Sequence, residues 1–375
     1  MKILFYTSYF RPYISGITIY TERLVSYLSK KNFITILTFQ YKKNLPEIEH
    51  KQNIRIIRMP YLCKISKGFI SPSSLLTYIR TVSMHDRIIV TLPNVEAFFL
   101  VIYARLCNKN IVSIAQCDVD LGSGFLNKLL SRTVSSVGFI QLLLSNKVVG
   151  FDDYIQSRWF YPFIKHKFTP SLPPVREMKI MPQVYQELEK KKGNTVWVGF
   201  VGRISREKGI EYLIEALSKI NGNNEKQFVL VMIGPKAVAG EESYKKMIHE
   251  YLAKTQLPAI IQYDVADADL GAWYKSFDVI VTPSYSSTEA FGMTQAEAML
   301  VGTPAIASNI PGVRLTIMKT GMGLLFEKKN SDQLAASIIK VVNQRKTFVN
   351  SGTRAKTRAL FDHNKFLALW EKILL

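Results

Sequence analysis

The sequence predicts an α/β protein built from two doubly wound, Rossmann-like domains, and three observations carry that prediction. Short apolar runs that read as buried strands alternate with amphipathic helices along the chain. The alternation breaks at a proline-rich stretch, Thr169-Pro-Ser-Leu-Pro-Pro174, and then restarts. At 375 residues the chain is long for one core and comfortable for two.

Residues 2–7 read as a buried parallel strand, followed by a loop and an amphipathic helix over 17–30 with Ile19, Leu24, Val25 and Leu28 apolar. Strand, glycine turn and helix open a doubly wound domain, and such a turn faces phosphate because the helix N-terminus presents backbone N–H groups. Only Ser15-Gly16 stands there, not a Gly-x-Gly-x-x-Gly fingerprint, so a dinucleotide site has little support. Further strands are expected at 33–39, 54–59, 87–91, 110–115 and 147–150. Ligands of such sheets bind beyond the carboxyl ends of the strands, which places 9–16, Pro93-Asn94 and Gln116-Cys117-Asp118 on one rim.

Residues 88–107 resemble a membrane span, but Pro93, Asn94, Glu96 and Arg105 interrupt them, and they parse as strand, turn and helix. Residues 121–144 read as a helix with an apolar face and basic Lys128 and Arg132, suited either to packing on the sheet or to lying on an anionic membrane. Asp118-Val-Asp120 and Asp267-Ala-Asp269 match a pattern that holds a divalent ion, yet the tripeptide is common by chance. Asp269 also suits the N-cap of a helix over 269–276.

After the linker come a charged helix at 183–192 and a strand at 196–201, and then the turn Gly202-Arg-Ile-Ser-Arg-Glu-Lys-Gly209 leads into a helix over 210–220. Arg203, Arg206 and Lys208 lie where a helix macrodipole disfavours cations, which is explicable if a multiply charged anion sits among them. Strands at 227–233, 260–263 and 278–282 alternate with helices at 244–252 and 270–276. The stretch 283–304 then carries Glu289 and Glu297 around Gly292, with a helix starting near 291–293. Its first N–H groups suit a phosphate or sugar oxygens, and Gly292 lets the backbone approach closely. The ordinary structural alternative for Glu297 is a capping box with Thr294.

The segments Phe200-Val-Gly-Arg-Ile-Ser-Arg-Glu-Lys-Gly-Ile210, Ala272-Trp-Tyr-Lys-Ser-Phe-Asp-Val-Ile-Val-Thr-Pro-Ser284 and Glu289-Ala-Phe-Gly-Met-Thr-Gln-Ala-Glu-Ala-Met299 resemble those of retaining nucleotide-sugar glycosyltransferases of the GT-B fold, family four or group one. The resemblance covers nearly the whole chain. It implies an N-terminal acceptor-side domain at 1–172, a C-terminal nucleotide-sugar-binding domain at 173–354, and a last helix, 355–375, crossing back onto the first domain. The two domains would face a central cleft. It implies that Arg203 and Lys208 hold the donor diphosphate, that Glu297 accepts from the ribose hydroxyls, and that Glu289 contacts the transferred sugar. Ala290, Phe291, Gly292 and Met293 would complete the donor loop through their backbone, and Gly16 would close on the phosphate from the other domain. Glu289, Gln116 and Asp118 form the implied catalytic set. Gln116 stands where many members carry histidine, and glutamine hydrogen-bonds a hydroxyl without titrating near neutral pH. Ser15-Gly16 stands where many carry Gly-Gly.

The reaction implied is transfer of a hexose-type sugar from a nucleoside diphosphate sugar to a hydroxyl of a glycan or lipid-linked acceptor, in cell-surface polysaccharide or glycolipid synthesis. Fixed cations would stabilise the leaving diphosphate, so neither metal nor cofactor is expected, the donor being a co-substrate. A sugar-nucleotide epimerase of the same architecture is an alternative, but it needs acid/base groups that this rim lacks. The composition, 47% hydrophobic and 21% charged, is that of a folded protein. The net charge of +20 with pI near 9.7 calls for anionic partners. Residues 1–175 hold 22 Lys/Arg against 9 Asp/Glu and the remainder 27 against 20, so the first half is the more basic. A nucleic-acid binder would interleave those charges with stacking aromatics and give the paired glutamates no role. An anionic membrane surface is the expected partner instead, and nucleic acid is not. Three cysteines (63, 107, 117) form neither a disulfide framework nor a zinc site. With no signal peptide, the chain is expected in the cytoplasm, peripheral on the inner face of the membrane.

Overall fold

Ile3, Leu4, Phe5 and Tyr6 are all fully buried. Four successive buried side chains need cover on both faces of the sheet, and β1 (Lys2–Tyr6) is a central strand with a parallel neighbour on each side. The computed structural model describes the chain apart from residues 66–67, 119–123, 223–225 and 237–239, and nothing is said of the side chain of Leu126. It divides into two units, Met1–Pro174 with His363–Leu375, and Val175–Asp362.

In the first unit β1 is followed by α1 (Gly16–Leu28), β2 (Phe33–Phe39), β3 (Ile48–Lys51), β4 (Ile54–Met59), the small hairpin β5 (Cys63–Ile65) and β6 (Gly68–Ile70), β7 (Arg87–Leu92), β8 (Asn110–Ala115), α2 (Phe125–Leu144), β9 (Lys147–Gly150) and β10 (Phe168–Pro170). The main sheet runs β10-β9-β8-β7-β1-β2-β4-β3. Its strands are parallel except β3, which pairs antiparallel with β4. β10 corrects the linker expectation: Thr169 and Pro170 pair with Val149 and Gly150, and the boundary between units falls after Pro174. Pro170 is tolerated because β10 is an edge strand, where a missing N–H costs no ladder bond. Residues 88–107 contain most of β7 and the helix Phe98–Leu106. No helix among the described residues is long and apolar enough to cross a membrane.

The second unit contains β11 (Val196–Val201), α3 (Ile210–Asn221), β12 (Phe228–Gly234), β13 (Ala259–Tyr263), α4 (Leu270–Ser276), β14 (Val279–Thr282), α5 (Met293–Leu300), β15 (Ala305–Ser308) and β16 (Gly323–Phe326). All six strands are parallel, in the order β13-β12-β11-β14-β15-β16. Strand order reverses beside β11: β12 continues to one side and β14 to the other. The carboxyl ends of β11 and β14 are therefore the position where open α/β sheets bind ligands. The first unit has the equivalent reversal between β1 and β7.

The final helix, α6 (His363–Leu374), completes the first unit. Trp370 and Ile373 are buried in it. Its last carbonyls accept from Arg87 Nε (to Leu374, 2.8 Å) and Lys147 Nζ (to Ile373, 2.8 Å), cations placed at the negative end of the helix. The preceding helix Ser351–Leu360 belongs to the second unit, so the segment 355–375 divides at 362.

Candidate active site

The two loops that leave β11 and β14 are tied to each other. Gly209 takes a left-handed backbone (φ +64°), and a Cβ there would sit 2.6 Å from the Pro283 carbonyl oxygen. Only glycine meets both demands at once. The Tyr285 N–H also donates to the Glu207 carbonyl oxygen (3.2 Å). Between Gly202 and Gly209 the chain makes one 3-10 turn, Arg206–Lys208. Glu207 anchors it, accepting from Ser205 Oγ (2.7 Å) and Arg203 Nη2 (3.0 Å). Burial alone would raise the Glu207 carboxyl, but Ser205, its own backbone N–H and the charges of Arg203 and Lys208 bring it below its ordinary value.

Lys208 leaves this turn toward the second loop and pairs with Glu289 Oε2, both side chains being mostly buried (18% and 16% exposed). Glu289 Oε1 accepts from the Gly292 N–H (3.1 Å). One carboxylate thus bridges the lysine of the β11 loop and the backbone at the start of α5. Arg203 lies on the same turn, partly exposed. Arg206, grouped with these cations in the sequence, goes elsewhere: its guanidinium lies 5.8 Å from the Tyr244 ring. It lines a cavity of about 520 Å³ with Tyr212, Tyr251, Lys254 and Tyr285, and none of Arg203, Lys208, Glu289 and Glu297 lines that cavity.

Gly292 is the N-cap of α5, with φ +77°, and no side chain caps the helix. The capping-box explanation of Glu297 therefore fails: Thr294 is the second helical residue, and Glu297, buried in the next turn, accepts from the Tyr274 hydroxyl (3.0 Å). The Tyr274 hydroxyl offsets part of the cost of burying this carboxylate. Ala290 and Phe291 are buried, Phe291 edge-on to Phe361, and Met293 opens the helix. Gln295 was not singled out from the sequence. It is fully buried, and its Nε2 donates to the Phe291 (3.2 Å) and Val313 (2.6 Å) carbonyls, holding the loop before α5 in place. Its signal was a polar residue inside a run of small and apolar ones. Tyr274 was missed for the opposite reason, an aromatic that passes for core.

In the first unit Gly16 is the first residue of α1, and Ser15 caps it in a reciprocal box with Thr18. A Cβ on Gly16 would meet nothing within 4 Å, so packing inside the unit does not demand glycine there. Gln116, just beyond β8, is buried, yet its Nε2 and Oε1 make no hydrogen bond to the described residues. Such an amide costs about 1–3 kcal/mol. Gln116→Leu is accordingly expected to raise the unfolding free energy by about 1 kcal/mol in a denaturant titration; a lower unfolding free energy would show that the amide has partners. Asp118 is engaged: its carboxylate pairs with Arg158 (2.6 Å), its N–H donates to the Tyr154 hydroxyl (2.7 Å), and the Arg158 guanidinium stacks on the Tyr154 ring at 4.0 Å. A catalytic Asp118 would first have to leave this brace. Asp120 lies outside the described residues. Asp267 pairs with Arg176, and Asp269 precedes α4 without a side-chain cap bond. Among the described residues no cluster of three His, Cys, Asp or Glu is placed to hold a metal ion.

Residues 184–358 match the family model of glycosyl transferases group 1. That range contains Arg203, Lys208, Glu289 and Glu297. An uncharacterized glycosyltransferase of Methanocaldococcus jannaschii is 26% identical over 371 residues, covering 94% of this chain and 92% of the relative. The capsular polysaccharide biosynthesis glycosyltransferase CapM of Staphylococcus aureus is 29% identical over 180 residues, 47% of this chain and 44% of CapM. Among solved structures, Anabaena HepE in complex with UDP-glucose superposes with a TM-score of 0.75 at 19% identity, covering 100% of this chain and 98% of HepE. Sucrose-phosphate synthase from Thermosynechococcus elongatus does so with 0.78 at 17% identity, covering 99% and 98%. The fold is GT-B. The sequence matches support a glycosyltransferase.

Proposed function

We propose that the chain is a retaining, metal-independent glycosyltransferase that moves a hexose-type sugar from a nucleoside diphosphate sugar to a hydroxyl of a glycan or lipid-linked acceptor. The observation that carries this reading is the Glu289 carboxylate bridging Lys208 and the Gly292 N–H beside the β11/β14 strand reversal. A carboxylate occupies there the two groups that would serve an anionic ligand: a cation and a helix N-terminal N–H. On donor binding Lys208 exchanges Glu289 for the diphosphate, and Arg203 joins it. Glu289 is thereby released to accept from hydroxyls of the transferred sugar, and Glu297 accepts from the ribose.

In the transfer step the bond between the sugar C1 and the β-phosphate oxygen breaks. The acceptor oxygen bonds to C1 on the same face, and its proton passes to the departing phosphate. Lys208, Arg203 and the first turn of α5 stabilise the charge that develops on the diphosphate, work that elsewhere a metal ion performs. HepE, crystallised with UDP and with UDP-glucose, makes uridine diphosphate hexoses the first donors to try. CapM, named for capsular polysaccharide biosynthesis, supports a cell-surface polysaccharide or glycolipid as the product.

A thermal-shift screen of uridine, guanosine and adenosine diphosphate sugars is expected to give one stabilising class. That donor should then release its nucleotide only when an acceptor is added, with the rate unchanged by EDTA. Stabilisation by none of the three would refute the donor site, and nucleotide release without an acceptor would refute transfer.

A further inference from the structure

The helix α2 does not bury an ordinary amphipathic stripe. Its 20 residues include no aspartate or glutamate. Gln141 and Leu142 turn inward, whereas Phe125 (82% exposed), Leu129, Ile140 and Leu143 turn outward. At 100° per residue these four fall within about 60° of one another, one pair near each end of the helix, with exposed Arg132 and Ser136 on the same face between the pairs and exposed Lys128 beside it. Large apolar side chains exposed together on one helix face are what a soluble monomer avoids.

The C-terminal part of this face continues off the helix. Phe139 packs on Trp159 (ring centroids 4.8 Å) and on Phe163 (5.5 Å). Both of those rings are themselves more than half exposed, and the exposed Lys165 follows them. Lys167 secures this segment to the end of α2 through the Leu143 and Ser145 carbonyls (2.7 and 2.9 Å). Arg158 is not counted with the rim, because Asp118 neutralises it.

We propose that this face, α2 together with Trp159 and Phe163, docks on an anionic lipid bilayer. The aromatic and leucine side chains would enter the headgroup boundary, the depth that an amphipathic helix lying in the interface reaches, and Trp159 would sit at the headgroup level. Lys128, Arg132 and Lys165 would meet the lipid phosphates. Charge selects the occupant: a second copy of the chain would bring the same basic rim against itself, whereas an anionic membrane complements it. The proposal uses residues separate from those proposed for transfer, and vesicle binding needs neither donor nor acceptor, so failure of one leaves the other standing.

The four tryptophans make the test direct. Trp197, Trp273 and Trp370 are buried (1%, 8% and 0% exposed) and Trp159 is 63% exposed, so a solvent-sensitive change in tryptophan emission belongs to Trp159. The full chain should co-sediment with vesicles of phosphatidylglycerol mixed into phosphatidylcholine, with a blue shift in emission. Binding to phosphatidylcholine alone should be at least about tenfold weaker, and added salt should weaken the anionic binding. Lys128→Glu with Arg132→Glu should lower the anionic affinity at least about tenfold with an unchanged circular dichroism spectrum. Trp159→Phe should still sediment but lose the emission shift. Absence of binding to the anionic vesicles, equal binding to neutral ones, or an emission shift that survives Trp159→Phe would each overturn the proposal. So would concentration-dependent self-association that Leu129→Glu abolishes in a chain that ignores vesicles.

Discussion

Lys208→Ala is expected to lower kcat for sugar transfer by about 10²–10³-fold, the cost of removing one fixed group aimed at developing negative charge. The ammonium belongs to a turn held from three sides: Gly209 against Pro283, Glu207 against Ser205 and Arg203, and Tyr285 on the Glu207 carbonyl. The turn is therefore fixed, and in the proposed reaction only the Lys208 side chain changes partner, from Glu289 to the diphosphate. The substitution also leaves the mostly buried Glu289 carboxylate without its cation, although the Gly292 N–H remains. A loss of about 1 kcal/mol in stability should accompany the kinetic defect. Arg203 is more exposed and already shared with Glu207, so Arg203→Ala should cost less. A Lys208→Ala chain that folds, binds donor and turns over at the wild-type rate would remove the lysine from the mechanism.

Glu289→Gln should separate binding from turnover. The amide keeps an oxygen for the Gly292 N–H, so the loop before α5 and its support from Gln295 survive. What disappears is the negative charge that pairs with Lys208 and that, in its proposed role, would accept from the sugar hydroxyls. Transfer should fall about 10²-fold, mostly in kcat. A bare nucleoside diphosphate, having no sugar to lose contacts with, should bind more tightly, because Lys208 no longer has to leave a carboxylate. A residue that only held the loop would give the opposite signature, with weaker binding of every ligand and no gain for the diphosphate.

The candidate residues of the second unit could be read from the sequence because they lie close together in the chain. Arg203 and Lys208 sit in one turn, Glu289 and Gly292 on the next loop that reaches it, and the strands that aim both loops are uninterrupted apolar runs. The side chains that discriminate among roles were not legible in that way. Nothing in the spacing told that Arg206 would turn toward Tyr244 while Lys208 turned toward Glu289; that depends on the path of a 3-10 turn. Gln295 and Tyr274 act through carbonyl and carboxylate partners up to 23 residues away. The capping box failed because Gly292 ends the loop in a left-handed conformation and starts α5 itself. In the first unit, β3 and β10 are short edge strands whose pairing partners, not their own pattern, make them strands. The outward face of α2 was visible as amphipathicity, but which side faced solvent was a tertiary fact.

In the proposed mechanism Lys208 and Glu289, joined in the free chain, part to receive the donor. Calorimetric titration of UDP, GDP and ADP into the wild type, Glu289→Gln and Lys208→Ala tests it most directly. At least one of the three is expected to bind the wild type, to bind Glu289→Gln about tenfold more tightly, roughly 1.4 kcal/mol, and to bind Lys208→Ala about tenfold more weakly. Binding by none of them, or one affinity shared by all three chains, would contradict it.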